Sequence, residues 1–321
     1  MKINSDTQKC LMRKIVLIDG IQRSGKKAFV NVISSLKRSE SIEMNYVIEH
    51  VVEGLSLKLI KPAFAKSFFT KFLDEMAYNK FISRNSNFRL SDASSIYNFA
   101  DPKVYIKRLN KPEGNRVVKE LKKTNNFFPF MTHEIMTNLD HFNRMGLNYK
   151  ILAIYRNPID VVYSWYKQGM GKSFGKDKRN FTLLFSHKSK NFPWYVYKNF
   201  NQWLRLNEVE KCSYIVSNLI KKSIIKHRKF KNNKKIFTIR FENYLENPTE
   251  ILRKTCKFLN TKYSFKTKKF LKLANLPSRV KLDNRERKRK FIKSKLSKNL
   301  YKTLITLEKK YEKNVYNLNN K

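Results

Sequence analysis

The sequence predicts an α/β fold, a parallel β-sheet flanked by helices on both faces. Three observations lead there. Short β-branched runs alternate with stretches of helical periodicity along most of the chain, the pattern of strands joined by crossover helices. The run Ile15–Ile18 ends at Gly20 and leads through Gly25 into Ala28–Leu36, whose apolar residues recur at helical spacing. The run Tyr149–Tyr155 ends in Arg156-Asn157-Pro158. Pro158 suits a first helical position, since its missing N–H would be unpaired there anyway.

In chain order, Ile15–Ile18 reads as a buried strand, Gly20–Lys27 as a glycine loop and Ala28–Leu36 as a helix. Asn45–His50 is expected to be a second strand, with a helical stretch through Ala65–Tyr78 after it. Residues 84–115 are polar, carry Pro102, Pro112 and Gly114, and suggest an irregular excursion or a mobile lid. Order returns at Phe127–Thr132, with a helical pattern over Glu134–Met145. The helix opened by Pro158 runs to about Tyr166, and the glycines of Gln168–Gly175 make a flexible loop. A helix with Trp194, Tyr197, Trp203 and Leu204 on its apolar side is expected next. Ile236–Arg240 is a strand, Pro248–Leu259 a helix, and Leu296–Tyr311 an amphipathic closing helix. No internal repeat or sharp shift in composition divides the chain. Residues 1–321 are therefore expected to form one domain, with a core over about 14–260 and a basic C-terminal segment and closing helix over 261–321.

An apolar fraction of 41% with 13% aromatics supplies a core and excludes global disorder. No uncharged apolar run is long enough to span a bilayer, and MKINSDTQKC lacks the apolar centre of a signal peptide. The three cysteines, Cys10, Cys212 and Cys256, have no metal-ligand spacing. They read as reduced thiols of a cytoplasmic protein. The formal charge of +44 favours anionic ligands in general and permits nonspecific contact with nucleic acid. The lysines are scattered and accompany Asn, Ile, Phe and Tyr, as an AT-rich coding sequence alone would produce.

Two constellations carry chemistry. Gly20-Ile21-Gln22-Arg23-Ser24-Gly25-Lys26-Lys27 lies one residue from the Walker A phosphate loop G-x-x-x-x-G-K-[ST]. Backbone N–H groups at such a turn, feeding a helix N-terminus, cradle an anion, and Arg23, Lys26 and Lys27 add cations. Lys27 replaces the hydroxyl that would ligate magnesium, so no metal role is expected of the loop. In the second, Arg156 ends a strand and Ser164 follows about two helical turns later, so a guanidinium and a hydroxyl can face one anion.

Tyr155–Tyr166 resembles the R-[ND]-P-x-D-x-x-x-S segment of sulfotransferases that use PAPS (3′-phosphoadenosine 5′-phosphosulfate). The first loop is similar to the family's P-[KR]-S-G-T loop, with Lys26-Lys27 in place of Thr-Thr. A third segment, Ile239–Pro248 with Leu252 and Phe258-Leu259, resembles the family's R-Y-E-D-L-x-x-[ND]-P scaffold. The resemblance spans about residues 14–260 and implies a P-loop NTPase-like three-layer sandwich with PAPS as co-substrate. It further implies that Arg156 and Ser164 contact the 3′-phosphate, that Arg23, Ser24, Gly25, Lys26 and Lys27 surround the 5′-phosphosulfate, and that Arg23 neutralises charge on the bridging oxygen. The activity implied is sulfuryl transfer to a hydroxyl or amine, with carbohydrate the acceptor class expected from the family.

Such a transfer requires a base for the acceptor proton. His133, in Met131-Thr132-His133-Glu134, stands where the family's K-[TS]-H motif places a histidine. Glu49 and His50 are the reserve candidates, while Glu134 reads as a charge suited to a helix first turn. The run Arg285–Lys290 falls where relatives contribute a C-terminal cation to the 3′-phosphate, although a solvated charge run or a nucleic-acid patch explains it equally. Two other readings stay open. A kinase or NTPase with a degenerate Walker A would use Asp19 or Glu49 for magnesium. A nucleic-acid-binding basic protein would show steep salt dependence.

Overall fold

Four short strands form the centre of the molecule: β1 (Ile15–Asp19), β2 (Phe128–Met131), β3 (Tyr149–Tyr155) and, after a separate hairpin of β4 (Leu184–His187) and β5 (Lys190–Pro193), β6 (Ile236–Arg240). The structure, a computed structural model, describes residues 8–174, 176–230, 233–278 and 282–317. The four strands pair in parallel in the order β2-β1-β3-β6, with Ile15 level with Phe128 and Tyr149, and Tyr155 level with Arg240. Their residues are mostly apolar because both faces are covered. Ile15, Leu17, Ile151 and Ala153 join one buried cluster, and the alternate residues Val16, Ile18, Leu152 and Ile154 join another. Helices Val47–Ser56, Pro62–Phe81, Pro158–Lys167, Glu208–Lys229 and Lys298–Asn317 cover the first face; Lys27–Ser34, Pro248–Leu259 and Thr267–Leu273 cover the second. The expected α/β sandwich is present, and β3, β6 and Pro248–Leu259 have the expected bounds.

Several local expectations are corrected. Asn45–His50 is no strand: Asn45 Oδ1 accepts the Val47 N–H at 2.9 Å and the chain enters the helix Val47–Ser56. Its β-branched residues suit a strand locally, but Ile48, Val51, Val52 and Leu55 together make a buried helical face, and packing overrides propensity. Residues 84–115 are not a free lid. Tyr105 is fully buried, and Arg108 grips buried Glu40 through both guanidinium nitrogens at 2.8 and 3.0 Å. Glu134–Met145 breaks into the 3-10 turn Met136–Asn138 and the short helix Leu139–Asn143. Trp194 and Trp203 lie on a 3-10 turn and a five-residue helix rather than one long element. The long helix is Glu208–Lys229, opened by a capping box between Asn207 and Glu210. In the expected glycine loop, Met170–Ser173 forms a helical turn, while Gly175 lies outside the described residues.

Candidate active site

The sheet order reverses at β1, whose neighbours β2 and β3 both follow it in sequence. The crevice beyond the carboxyl ends of the strands at such a point is where open α/β sheets bind ligands. The loop Gly20–Lys26 fills that position. Its geometry needs glycine twice: a Cβ at Gly20 would strike the Ile154 carbonyl, and one at Gly25, where φ is +97°, would overlap the Phe241 ring. Arg23 also has a positive φ, 67°, which costs an L-residue energy. The neighbouring segment holds it there. Arg156 Nη1 donates to the Arg23 carbonyl at 3.0 Å, Trp165 Nε1 to the Gln22 carbonyl at 2.8 Å, and Arg23 Nε to Ser164 Oγ at 2.9 Å. Arg23, Arg156 and Ser164, far apart in sequence, thus meet at one place.

The helix that the loop feeds, Lys27–Ser34, has no side-chain cap and no acid in its first turn. The Ala28, Phe29 and Val30 N–H groups bond the carbonyls of Gly25 and Lys26, which leaves those of Gly25, Lys26 and Lys27 without an acceptor among the described residues, and Ser24 Oγ is buried without a partner. These are donors without acceptors, the signature of an anion cradle. Lys27 is exposed, whereas Lys26 is buried and turns beneath the loop. Its ammonium donates to the carbonyls of Gly20 and of Ile21, the latter at 3.1 Å. Burial draws its pKa down to about 8 against the pull of Asp19, Glu134 and Glu49.

Below the loop lies a buried cluster of carboxylates and imidazole. His133 follows β2, and Glu49 reaches it from the helix Val47–Ser56. Glu49 Oε2 meets His133 Nδ1 at 3.2 Å, and Oε1 accepts the His133 backbone N–H. The candidate base His133 and its reserve Glu49 are therefore partners. Burial alone would raise Glu49, but the His133 ring and backbone, with Lys26, hold it below the usual carboxylate range. Tyr46 stacks on His133 with ring centroids 5.6 Å apart. His50 instead pairs with Glu53 at 3.0 Å, and burial pushes Glu53 up to about 7. Burial, with Glu49 and Glu53 close by, pushes Glu134 far above the carboxylate range, and Glu134 Oε1 accepts the Tyr195 hydroxyl at 3.1 Å. Glu134 is thus part of the cluster and opens no helix, contrary to its reading as a first-turn charge.

Among the described residues, Glu49, His133 and Glu134 are a group able to hold a metal ion, with donor atoms within 4.8 Å of one another. In this arrangement those donors already engage each other and Tyr195. Asp19, the other carboxylate weighed for magnesium, accepts Thr132 Oγ1 at 2.7 Å and the N–H groups of Ile135 and Met136 at 3.1 and 2.8 Å. It anchors the turn after β2.

Residues Arg285–Lys290 lie on the helix Leu282–Lys295, and three of their cations turn inward. Arg285 and Lys288 meet buried Asp160, and Arg289 meets Glu308 at 2.9 and 3.1 Å. Glu308 also accepts Asn157 Nδ2, and Glu242 accepts both the Asn157 N–H and the Tyr311 hydroxyl. The two C-terminal helices therefore brace the Arg156–Ser164 segment from behind. Burial alone would raise Asp160; Lys288 and Arg285 hold it low. The sequence did not single out Tyr46 or Phe241, and it grouped Tyr195 with Trp194, Tyr197 and Trp203 as core aromatics at helical spacing. Phe241, whose ring lies under the Arg156 guanidinium with 5.2 Å to its centroid, sat in a segment read as scaffold.

A parallel sheet whose central strand feeds an uncapped glycine loop, clasped by an arginine and a serine of the next βα unit, defines an α/β fold of the P-loop-like type. The chain belongs to the sulfotransferase family: the model described as "Sulfotransferase domain" matches residues 14–313. In structure it is similar to the sulfotransferase domain of the Synechococcus PCC 7002 olefin synthase, at 11% identity over 97% of this chain and 98% of that one, with a TM-score of 0.50. It is also similar to a sulfotransferase from Alicyclobacillus acidocaldarius (14% identity, 92% and 96% covered, TM-score 0.37). Mouse sulfotransferase SULT7A1 complexed with PAP matches at 15% identity, 85% and 66% covered, TM-score 0.36. Among curated proteins there is no match. No helix of the described residues is long and apolar enough to cross a membrane.

Proposed function

We propose that the protein transfers a sulfuryl group from PAPS to a hydroxyl or amine acceptor, and that the acceptor is a carbohydrate. The observation that carries this reading is the convergence of Arg156 and Ser164 on Arg23, at an uncapped helix N-terminus. PAPS supplies the sulfuryl group and an adenosine bisphosphate leaving group. The loop N–H groups and Ser24 hold its 5′-phosphate side, with Gly25 letting the backbone come close. Arg156 and Ser164 hold the 3′-phosphate. Arg23 and Lys27 at the mouth, with Lys26 beneath, offset charge growing on the bridging oxygen, electrostatics aimed at where charge develops. His133 takes the acceptor proton at Nε2 while Nδ1 faces Glu49, which fixes the tautomer and steadies the protonated ring. The loop contributes no hydroxyl at position 27 for a metal, and the reading assigns that neutralising role to side-chain cations.

Calorimetry at moderate salt tests this with adenosine 3′,5′-bisphosphate, with and without magnesium, and with magnesium-ATP. Metal-independent binding of the bisphosphate is expected. Arg156→Ala should weaken it about ten- to hundredfold, because a hydrogen bond to a charged group contributes about 1.5–3 kcal/mol. Preference for magnesium-ATP would overturn the reading in favour of a kinase. Binding that vanishes uniformly with added salt would favour nonspecific nucleic-acid affinity.

A further inference from the structure

We propose that the cavity between the Trp194–Val196 turn and the helix Glu208–Lys229 is an acceptor subsite for an anionic sugar unit. The proposal rests on the sulfotransferase reading and narrows it. The cavity measures about 460 Å³, room for a monosaccharide. The Tyr195 ring forms part of its wall while the Tyr195 hydroxyl donates to Glu134 in the catalytic cluster. One side chain thus links the cavity to the cluster in which Glu134 lies beside Glu49 and the proposed base His133.

Three features of the lining select the ligand. Lys198, Lys222 and Lys226 all face the cavity. The carboxylate beside them, Asp140, is shared between Lys226 and Lys229; among the described residues Lys198 and Lys222 have no acidic partner. Burial, then the charges of Lys198 and Lys226, depress Lys222 below the usual lysine range. Gathering cations without a counter-charge destabilises the empty protein, and an anion relieves it. Second, Asn138 is 8% exposed and its Nδ2 is buried with no partner. A buried donor of that kind gains when the amide turns toward an incoming oxygen. Third, Tyr197, Tyr214 and the largely buried Trp194 line the same space, an aromatic lining that suits the C–H face of a pyranose ring. Aromatic wall, unpaired amide and unpaired lysines together match a sugar carrying a carboxylate, sulfate or phosphate.

Trp194 makes the cavity observable by fluorescence. The protein, free and loaded with adenosine 3′,5′-bisphosphate, is titrated with glucuronate, glucose 6-sulfate, glucose 6-phosphate and glucose. The anionic sugars should bind at least about tenfold tighter than glucose, and their ranking identifies the anionic group. Lys222→Glu should cancel that preference and Lys222→Arg should keep it. Neither should change bisphosphate affinity. Lys268→Glu, on the opposite face of the sheet, controls for the field of a chain with a formal charge of +44. Equal binding of glucose and glucuronate overturns the proposal, and so does equal weakening by Lys268→Glu and Lys222→Glu. If the bisphosphate fails to bind, the sulfotransferase reading fails, while the sugar titrations on the free protein still decide for or against the cavity.

Discussion

Replacing Gly25 with alanine tests how the phosphate loop is held together. At φ +97° an alanine is strained, and its Cβ would overlap the Phe241 ring, with Cγ only 2.7 Å away. The backbone strain costs about 1–3 kcal/mol, and overpacking against the Phe241 ring costs about 1–3 kcal/mol more. The expected loss of stability is therefore about 2–6 kcal/mol. The effect does not stop at the loop, because Phe241 supports the Arg156 guanidinium and Arg156 holds the Arg23 carbonyl. Gly25→Ala should weaken bisphosphate binding as well as lower the urea midpoint. Phe241→Ala makes room for the new methyl but leaves the backbone strain. In a double-mutant cycle of urea unfolding, the two changes should couple by about 1–3 kcal/mol in the direction of rescue. Additivity within about 0.5 kcal/mol, or wild-type binding in Gly25→Ala, would refute the account.

Glu49→Gln keeps the side chain's size but removes the charge facing His133; kcat should fall about 10²- to 10⁴-fold with the bisphosphate Kd unchanged, and a matching loss of Kd would point to a collapsed site instead. Glu53, pushed from 4.5 to about 7 by burial, binds its proton more tightly folded than unfolded. Stability should therefore fall as pH rises through that window, by up to about 3 kcal/mol, and Glu53→Gln should flatten the slope measured by urea unfolding between pH 5 and 8. Asp160→Asn leaves Arg285 and Lys288 without their buried carboxylate; a loss of about 3–5 kcal/mol and faster amide exchange in Leu282–Lys295 are expected, and unchanged exchange there would show the bracing to be idle.

Legibility in the sequence tracked how local the cause was. β3 and β6 were readable to the residue because strands covered on both faces carry short runs of β-branched and other apolar residues, here ILAIY and IFTI, bounded by polar chain. Arg23, Arg156 and Ser164 were readable because each sits at a fixed offset from a strand end. Val47–Ser56 was misread because its β-branched residues favour extended chain until tertiary packing decides. Glu208–Lys229 was overlooked although its signals were present: Asn207 and Glu210 form the cap, and Cys212, Val216, Leu219 and Ile220 recur along one buried face. A lysine-rich exterior obscured them. The pairing of Glu49 with His133, and of Tyr195 with Glu134, joins elements distant in sequence, and no local pattern encodes it.

The bracing of the Arg156–Ser164 segment also sets an order of events in the cell. Asn157 and Asp160 are held by Arg285, Lys288 and Glu308, which the ribosome makes more than a hundred residues later. A nascent chain can close its sheet once β6 has emerged, yet its Arg156–Ser164 segment stays unsupported until the helices Leu282–Lys295 and Lys298–Asn317 follow. Support of that segment is thereby tied to synthesis of those helices, and a chain released before they are made would carry the motif without the means to hold it.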